Sequence, residues 1–182
     1  MLVNSDHSVG RQNFTIGHEL YHLYYDKEFI PHKCQTGQFP RKNPSERMAD
    51  IFASHLLLPE EGILQLIPEE ELGRDRIRLA TLLKIEQTYG SSRAALLKQL
   101  VKMELASKSF EEKYTTHIKA GAHQHGYSIE LYEPTTEKAI LGTFGSLANK
   151  LYENDQISES HNQELMFSIG IDVSEILPDE ED

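Results

Sequence analysis

The chain has 182 residues, of which 38% are hydrophobic, enough for one substantial core or two small ones. Its formal net charge of -11 argues against a general affinity for nucleic acid or anionic lipid. No apolar run approaches the roughly 20 residues of a membrane span, and the lone cysteine, Cys34, excludes an internal disulfide. We therefore expect a cytoplasmic protein without a membrane partner.

The first helix is predicted over residues 11–25, after a short strand end at residues 2–4. His18 and His22 recur four residues apart, which places them on one side of this helix. Prolines and a glycine interrupt the pattern after it, and they predict a loop over residues 26–42.

A second helix is predicted from the sequence Asn43-Pro44-Ser45-Glu46, which is typical of a helix start with proline at the first helical position. This helix is expected to end near Leu58. A further short helix is predicted between two prolines at positions 59 and 68, because proline can open a helix and cannot continue one.

Two amphipathic helices are predicted next, over residues 79–85 and 95–103, with a tight turn at residues 89–92. This helix-turn-helix-like region is basic, with seven Lys/Arg and two Asp/Glu from Arg74 to Met103. A DNA-binding regulator that uses it is therefore one functional alternative. The acidic remainder of the chain and ordinary helix packing argue against that alternative.

The last part of the chain is predicted to contain a hairpin, because residues 127–132 and 138–141 alternate between apolar and polar around Pro134. Two helices are predicted after it, around residues 147–152 and 161–167.

Three histidines lie in the polar stretch before this hairpin, at His117, His123 and His125. Their spacing matches no metal-ligand pattern. We expect them to be exposed loop residues.

The sequence His18-Glu19-Leu20-Tyr21-His22 is an HExxH pattern on the first predicted helix. Because positions i and i+4 share a helix face, both imidazoles can bind one ion, at about 2.0–2.1 Å for zinc. Glu19 lies about 100° around the helix from His18 and can approach a metal-bound water as a general base. Packed structural histidines are the ordinary alternative, so a third ligand downstream is required.

The second predicted helix supplies candidates for this third ligand. Glu46 lies in its first turn, and Asp50 follows one turn later on the same face. One carboxylate can bind the metal while the other accepts a histidine N–H and fixes the tautomer of that ligand. Taken alone, Glu46 would be interpreted as a helix cap with Asn43, and Asp50 as a solvated charge.

Two segments together resemble the ImmA/IrrE family of metallopeptidases. The first is residues 14–22, which contain the HExxH pattern, and the second is residues 46–59. The second segment is similar to the family signature E-x-x-A-(N/D)-x-F-A-x-x-L-L-x-P. The resemblance covers about the first third of the chain and requires both motifs in the right order.

The resemblance implies a role for each candidate residue. His18, His22 and Glu46 would be zinc ligands. Glu19 would be the catalytic base, and Asp50 would orient a ligand.

The chain departs from the family pattern at three positions. Tyr21 stands where the family usually has a small residue, Gly17 where it has alanine, and Asp26 where it often has another histidine. The family also places a helix and several strands before the HExxH helix, whereas only about a dozen residues precede it here. We therefore expect an incomplete substrate-binding edge, either because the sequence comes from a longer gene product or because a partner supplies that edge.

The predicted fold class is α+β and mainly helical, in three parts. A minimal zincin-like peptidase domain spans residues 1–68, a helix-turn-helix-like region residues 69–110, and a small α+β C-terminal part residues 111–182.

The resemblance implies a zinc-dependent endopeptidase. Its protein substrate would be a helix-turn-helix transcriptional repressor, whose cleavage activates phage, mobile-element or stress genes. A regulatory binding module that retains zinc but has little peptidase activity is the alternative.

Overall fold

The computed structural model describes residues 3–26, 44–135 and 143–171. The chain divides into two compact units, Val3–Glu137 and Lys138–Asp182. Across the described ranges the structure is mainly helical, and its extended pairing is limited to an isolated bridge between Ser8 and Pro134. No helix in these ranges combines the length and apolarity needed to cross a bilayer.

The first unit contains seven described α-helices. They are α1 (Val9–Tyr24), α2 (Pro44–Leu57), α3 (Glu60–Leu66), α4 (Leu79–Tyr89), α5 (Arg93–Lys102), α6 (Lys108–Tyr114) and α7 (Ile118–Gln124). Short 3-10 turns at Glu69–Glu71 and Glu130–Tyr132 complete it. The second unit contains α8 (Phe144–Glu153) and α9 (Glu159–Ser168), which pack on each other.

The helices predicted from periodicity are confirmed. The predicted starts of α1 and α2 lie within two residues of the observed ones, and α3 lies between Pro59 and Pro68. The helix-turn-helix-like pair corresponds to α4 and α5, and the two late helices correspond to α8 and α9. These helices were predictable because apolar spacing and proline act locally, whereas α6 and α7 lie in a stretch for which no helix was predicted.

The predicted hairpin is wrong in its first arm. Tyr127, Ile129 and Leu131 alternate with polar residues, yet no strand forms there. The Ser128 hydroxyl accepts a hydrogen bond from the backbone N–H of Glu130 at 3.2 Å, which turns the chain into a 3-10 turn instead. The second arm, residues 138–141, lies outside the described residues.

The small α+β C-terminal part is therefore not supported, since the described residues after position 110 form helices and turns. The strand end predicted at residues 2–4 is also absent from its described residues, Val3 and Asn4. The predicted boundaries at 68 and 110 both lie inside the first unit, and the three-part division stays a prediction.

The core of the first unit is formed by α3 to α6 and the segments that flank them. Its buried apolar residues form one cluster: Leu58, Ile63, Ile67, Ile77, Leu82, Ile85, Leu96, Leu97, Leu100, Ala106 and Phe110. Helices α1 and α2 pack closely on each other, because a Cβ atom at Gly17 would lie only 3.3 Å from the Cβ atom of Ala53. This close approach determines which side chains meet between the two helices.

The start of α1 is packed against the turn between α4 and α5. A Cβ atom at Gly10 would lie 2.7 Å from the backbone nitrogen of Ser92 and 2.9 Å from the carbonyl carbon of Ser91. The Asn13 side chain donates a hydrogen bond to the carbonyl of Gly90 in the same turn, at 2.8 Å. The first turns of α1 are thus anchored on the main core.

We predict that Gly10→Ala lowers the free energy of unfolding by about 1–3 kcal/mol, because backbone atoms must shift to admit the methyl group. Chemical denaturation measures the loss. Gly145→Ala is the matched control, since its nearest neighbour would be the flexible Met166 sulfur at 3.6 Å and alanine favours a helix. An unchanged midpoint for Gly10→Ala would contradict the close packing of α1.

Candidate metal centre

The two histidines of the HExxH pattern are buried between α1 and α2. His18 is 1% exposed and His22 is 4% exposed. Their Nε2 atoms lie 3.2 Å apart, as expected for side chains one helical turn apart that point to the same place.

Glu46 completes the group from the first turn of α2. One of its carboxylate oxygens lies 3.2 Å from the Nε2 atom of His18, and the other lies 3.4 Å from the Nε2 atom of His22. The positive end of the α2 dipole favours a negative charge at this position. The structure therefore brings together the three residues that the sequence predicted as ligands.

Each histidine has a carboxylate at its other ring nitrogen. The Nδ1 atom of His18 lies 2.5 Å from Asp50, and that of His22 lies 3.1 Å from Asp26. Because an ionised carboxylate only accepts hydrogen bonds, each neutral imidazole donates through Nδ1 and directs an unprotonated Nε2 to the other side. This tautomer leaves the Nε2 lone pair available to a metal ion.

Asp50 was predicted for this position and Asp26 was not. Asp26 follows His22 by four residues, so helical spacing was the signal that could have revealed it. It was assigned to the loop because the apolar pattern ends before it. A third residue, Ser45, donates its hydroxyl proton to the Asp26 carboxylate.

The arrangement favours a cation. Both Nε2 atoms and the Glu46 carboxylate are hydrogen-bond acceptors in this tautomer, and acceptors held side by side repel unless a positive charge lies between them. Zinc bonds of about 2.0–2.1 Å in a tetrahedral site place donor atoms roughly 3.3–3.4 Å apart. The Nε2 atoms of His18 and His22 lie 3.2 Å apart, close to that separation, and Glu46 presents one carboxylate oxygen to each imidazole, at 3.2 and 3.4 Å.

The raised pKa of His18 also indicates that the site favours a positive charge. Burial alone lowers this pKa, but the hydrogen bond to Asp50 and the negative charges of Asp50, Glu46 and Glu19 together raise it above its ordinary value. The surroundings thus favour a positive charge at the imidazole, whether from a proton or from a metal ion.

Glu19 is half-buried and follows His18 on α1. Its charge helps to raise the pKa of His18, so its carboxylate lies close enough to influence that imidazole. Its catalytic role stays a prediction.

Tyr21, one of the departures noted in the sequence, packs on the side of α1 that faces α2. Its ring stacks on that of Tyr25 and contacts those of His22 and Phe52. The tyrosine therefore fills the space between the two helices beside the histidines.

The other candidate ligands do not form a second cluster within the described ranges. His117, His123 and His125 are exposed, as expected, although His123 lies in α7 rather than in a loop. Among the residues that the structure describes, His18, His22 and Glu46 form the only group of three possible ligands. Cys34 lies outside the described residues.

The helix-turn-helix-like pair of α4 and α5 is poorly suited to bind DNA. Arg93 opens α5, where a recognition helix would contact bases, but it is 2% exposed and pairs with the buried Glu86. Tyr132 also donates a hydrogen bond to Glu86, at 2.7 Å. Part of the basic charge in this region is therefore structural.

Comparison with known families gives one match. Residues 1–101 match the peptidase family model described as the IrrE N-terminal-like domain, which covers more than half of the chain. No curated protein and no solved structure shows a significant match.

We predict one zinc ion per chain, and loss of that ion in His18→Ala, because two remaining ligands cannot hold it tightly. Metal analysis of the purified proteins checks the stoichiometry. His123→Ala removes an exposed histidine and should retain full loading. Full zinc content in His18→Ala would contradict the site.

We predict that Asp50→Ala weakens zinc binding about 10- to 100-fold without abolishing it, because His18 loses the group that orients it. Competition with a chelator measures the affinity. Asp6→Ala, which removes the same charge from an exposed position, is the control. Equal zinc affinity in Asp50→Ala and Asp6→Ala would show that Asp50 does not orient His18.

Proposed function

The chain belongs to the IrrE N-terminal-like peptidase family, and we propose that it is a zinc-dependent endopeptidase. The observation that carries this proposal is the convergence of two imidazole nitrogens and one carboxylate at one buried place between α1 and α2. Glu19, on the same helix, supplies the base that peptide hydrolysis needs.

In the proposed mechanism, His18, His22 and Glu46 hold the ion. A bound zinc ion supplies a Lewis acid that lowers the pKa of water and polarises a substrate carbonyl. Glu19 accepts a proton from the attacking water and passes it to the amine that leaves when the C–N bond breaks. Both histidines are buried, and close packing limits the rotation of their rings.

We further propose that the substrate is a helix-turn-helix transcriptional repressor, whose cleavage activates phage, mobile-element or stress genes. The support is the resemblance of residues 14–22 and 46–59 to the ImmA/IrrE motifs. The strongly acidic composition also disfavours direct binding to DNA. Regulation of genes by this chain would therefore act through a protein partner.

We predict that Glu19→Gln retains zinc and fold but cleaves the repressor encoded beside its gene about 100- to 10,000-fold more slowly, because glutamine cannot accept the proton. Mass spectrometry of the repressor follows cleavage. Glu61→Gln, an isosteric change at an exposed position of α3, should cleave like the wild type.

Two results would contradict this proposal. Equal rates for the wild type and Glu19→Gln would exclude Glu19 as the base. Full zinc loading without cleavage by the wild type would instead support a regulatory binding module that retains zinc.

A further inference from the structure

Asp26 connects the end of α1 to the start of α2 at the metal centre. Its carboxylate lies 3.1 Å from the Nδ1 atom of His22, and the Ser45 hydroxyl donates to the same oxygen. Its backbone N–H donates to the carbonyl of Tyr21 at 3.3 Å, which holds the residue against the last turn of α1. The Asp26 side chain is 17% exposed, so the contact with His22 is largely shielded from water.

The position is electrostatically unfavourable for α1 considered alone. A carboxylate just after the C-terminus of a helix faces the negative end of the helix dipole. Compensation comes from α2, because Ser45 lies in its first turn, where the dipole is positive. The negative charge of Asp26 is therefore stabilised by its contacts with His22 and α2 and not by α1.

We propose that Asp26 is a positioning residue of the metal centre, which accepts the Nδ1–H of His22 and directs the Nε2 atom to the ion. This inference rests on the proposed zinc site. Asp50 has the corresponding geometry at His18, so each histidine is oriented by its own carboxylate. Ser45 acts one step further out, because its hydroxyl proton orients the Asp26 carboxylate.

A purely structural role makes a different prediction. If the contact of Asp26 with Ser45 only joins the ends of two helices, its loss lowers the melting temperature of the metal-free protein and leaves metal affinity unchanged. If Asp26 orients His22, zinc affinity falls at temperatures where both proteins are fully folded.

The test measures zinc affinity of the full chain by chelator competition. Asp26→Ala should bind zinc about 10- to 100-fold more weakly, the usual effect of losing a group that orients a ligand. Asp26→Asn keeps an amide oxygen that can accept the Nδ1–H, so it should recover part of the affinity. Glu61→Ala removes one negative charge at an exposed position of α3 and should match the wild type.

Cobalt substitution adds a spectroscopic readout of ligand geometry. The visible absorption of cobalt-loaded Asp26→Ala should differ from that of the wild type, because the His22 ring is no longer held. Asp26→Asn should resemble the wild type. A contact that only stabilised the fold would leave all three spectra alike.

A double-mutant cycle tests the role of Ser45. Ser45→Ala should weaken zinc binding by about two- to tenfold, the range for one lost hydrogen bond. Because Ser45 acts through Asp26, the same substitution should have no further effect in an Asp26→Ala background. If Ser45→Ala lowers zinc affinity equally in the wild type and in Asp26→Ala, Ser45 does not act through Asp26.

The outcomes separate this inference from the proposed function. If the wild type binds zinc and His18→Ala does not, while Asp26→Ala and Asp26→Asn keep full affinity, the positioning role is overturned and the zinc site stands. If the wild type binds no zinc, both are overturned. If Asp26→Ala does not fold, Asp26→Asn and Ser45→Ala still decide, because wild-type zinc affinity in both variants contradicts the proposal.

Discussion

The close approach of two imidazole nitrogens and one carboxylate is the constraint that the packing of α1 and α2 has to satisfy. Two imidazole nitrogens lie 3.2 Å apart, and each lies 3.2 or 3.4 Å from an oxygen of one carboxylate, in a buried interface. A cation between them would relieve their mutual repulsion, and the distance between the two imidazole nitrogens is close to that between donor atoms in a zinc tetrahedron. A site of this kind needs rigid surroundings, because imidazoles free to rotate would move apart.

The surroundings supply that rigidity at increasing distance. Asp50 and Asp26 hold the outer nitrogens of the two imidazoles. Gly17 lets α2 approach α1 closely enough for Glu46 to reach between them, while Gly10 sets the start of α1 against the α4–α5 turn. That turn is itself supported by the ion pair of Arg93 and Glu86, which is buried in the core. The metal centre is therefore connected to the main core by a continuous series of contacts.

The sequence predicted what depends on local spacing. His18 and His22 share a helix face, and Glu46 and Asp50 share another, whereas the meeting of the two faces was implied by the family resemblance. Asp26 was missed because it follows the last apolar position of α1, and its partner Ser45 is distant in sequence. Arg93 was counted among the seven basic residues of the helix-turn-helix-like region, and its burial beside Glu86 is a tertiary effect that the sequence did not reveal. The alternation around Ile129 predicted a strand, but the side chain of Ser128 forms a local turn that periodicity cannot reveal.

X-ray absorption at the zinc edge reads the atoms around a bound ion, and so it tests the proposal that His18, His22 and Glu46 are the protein ligands of zinc. If these three residues are the ligands, the spectrum will show scattering from two imidazoles and from oxygen, all at about 2.0–2.2 Å, with no sulfur neighbour. A sulfur shell at about 2.3 Å would implicate Cys34, and a spectrum without imidazole scattering would remove both histidines from the site. Either result would contradict the proposed set of ligands.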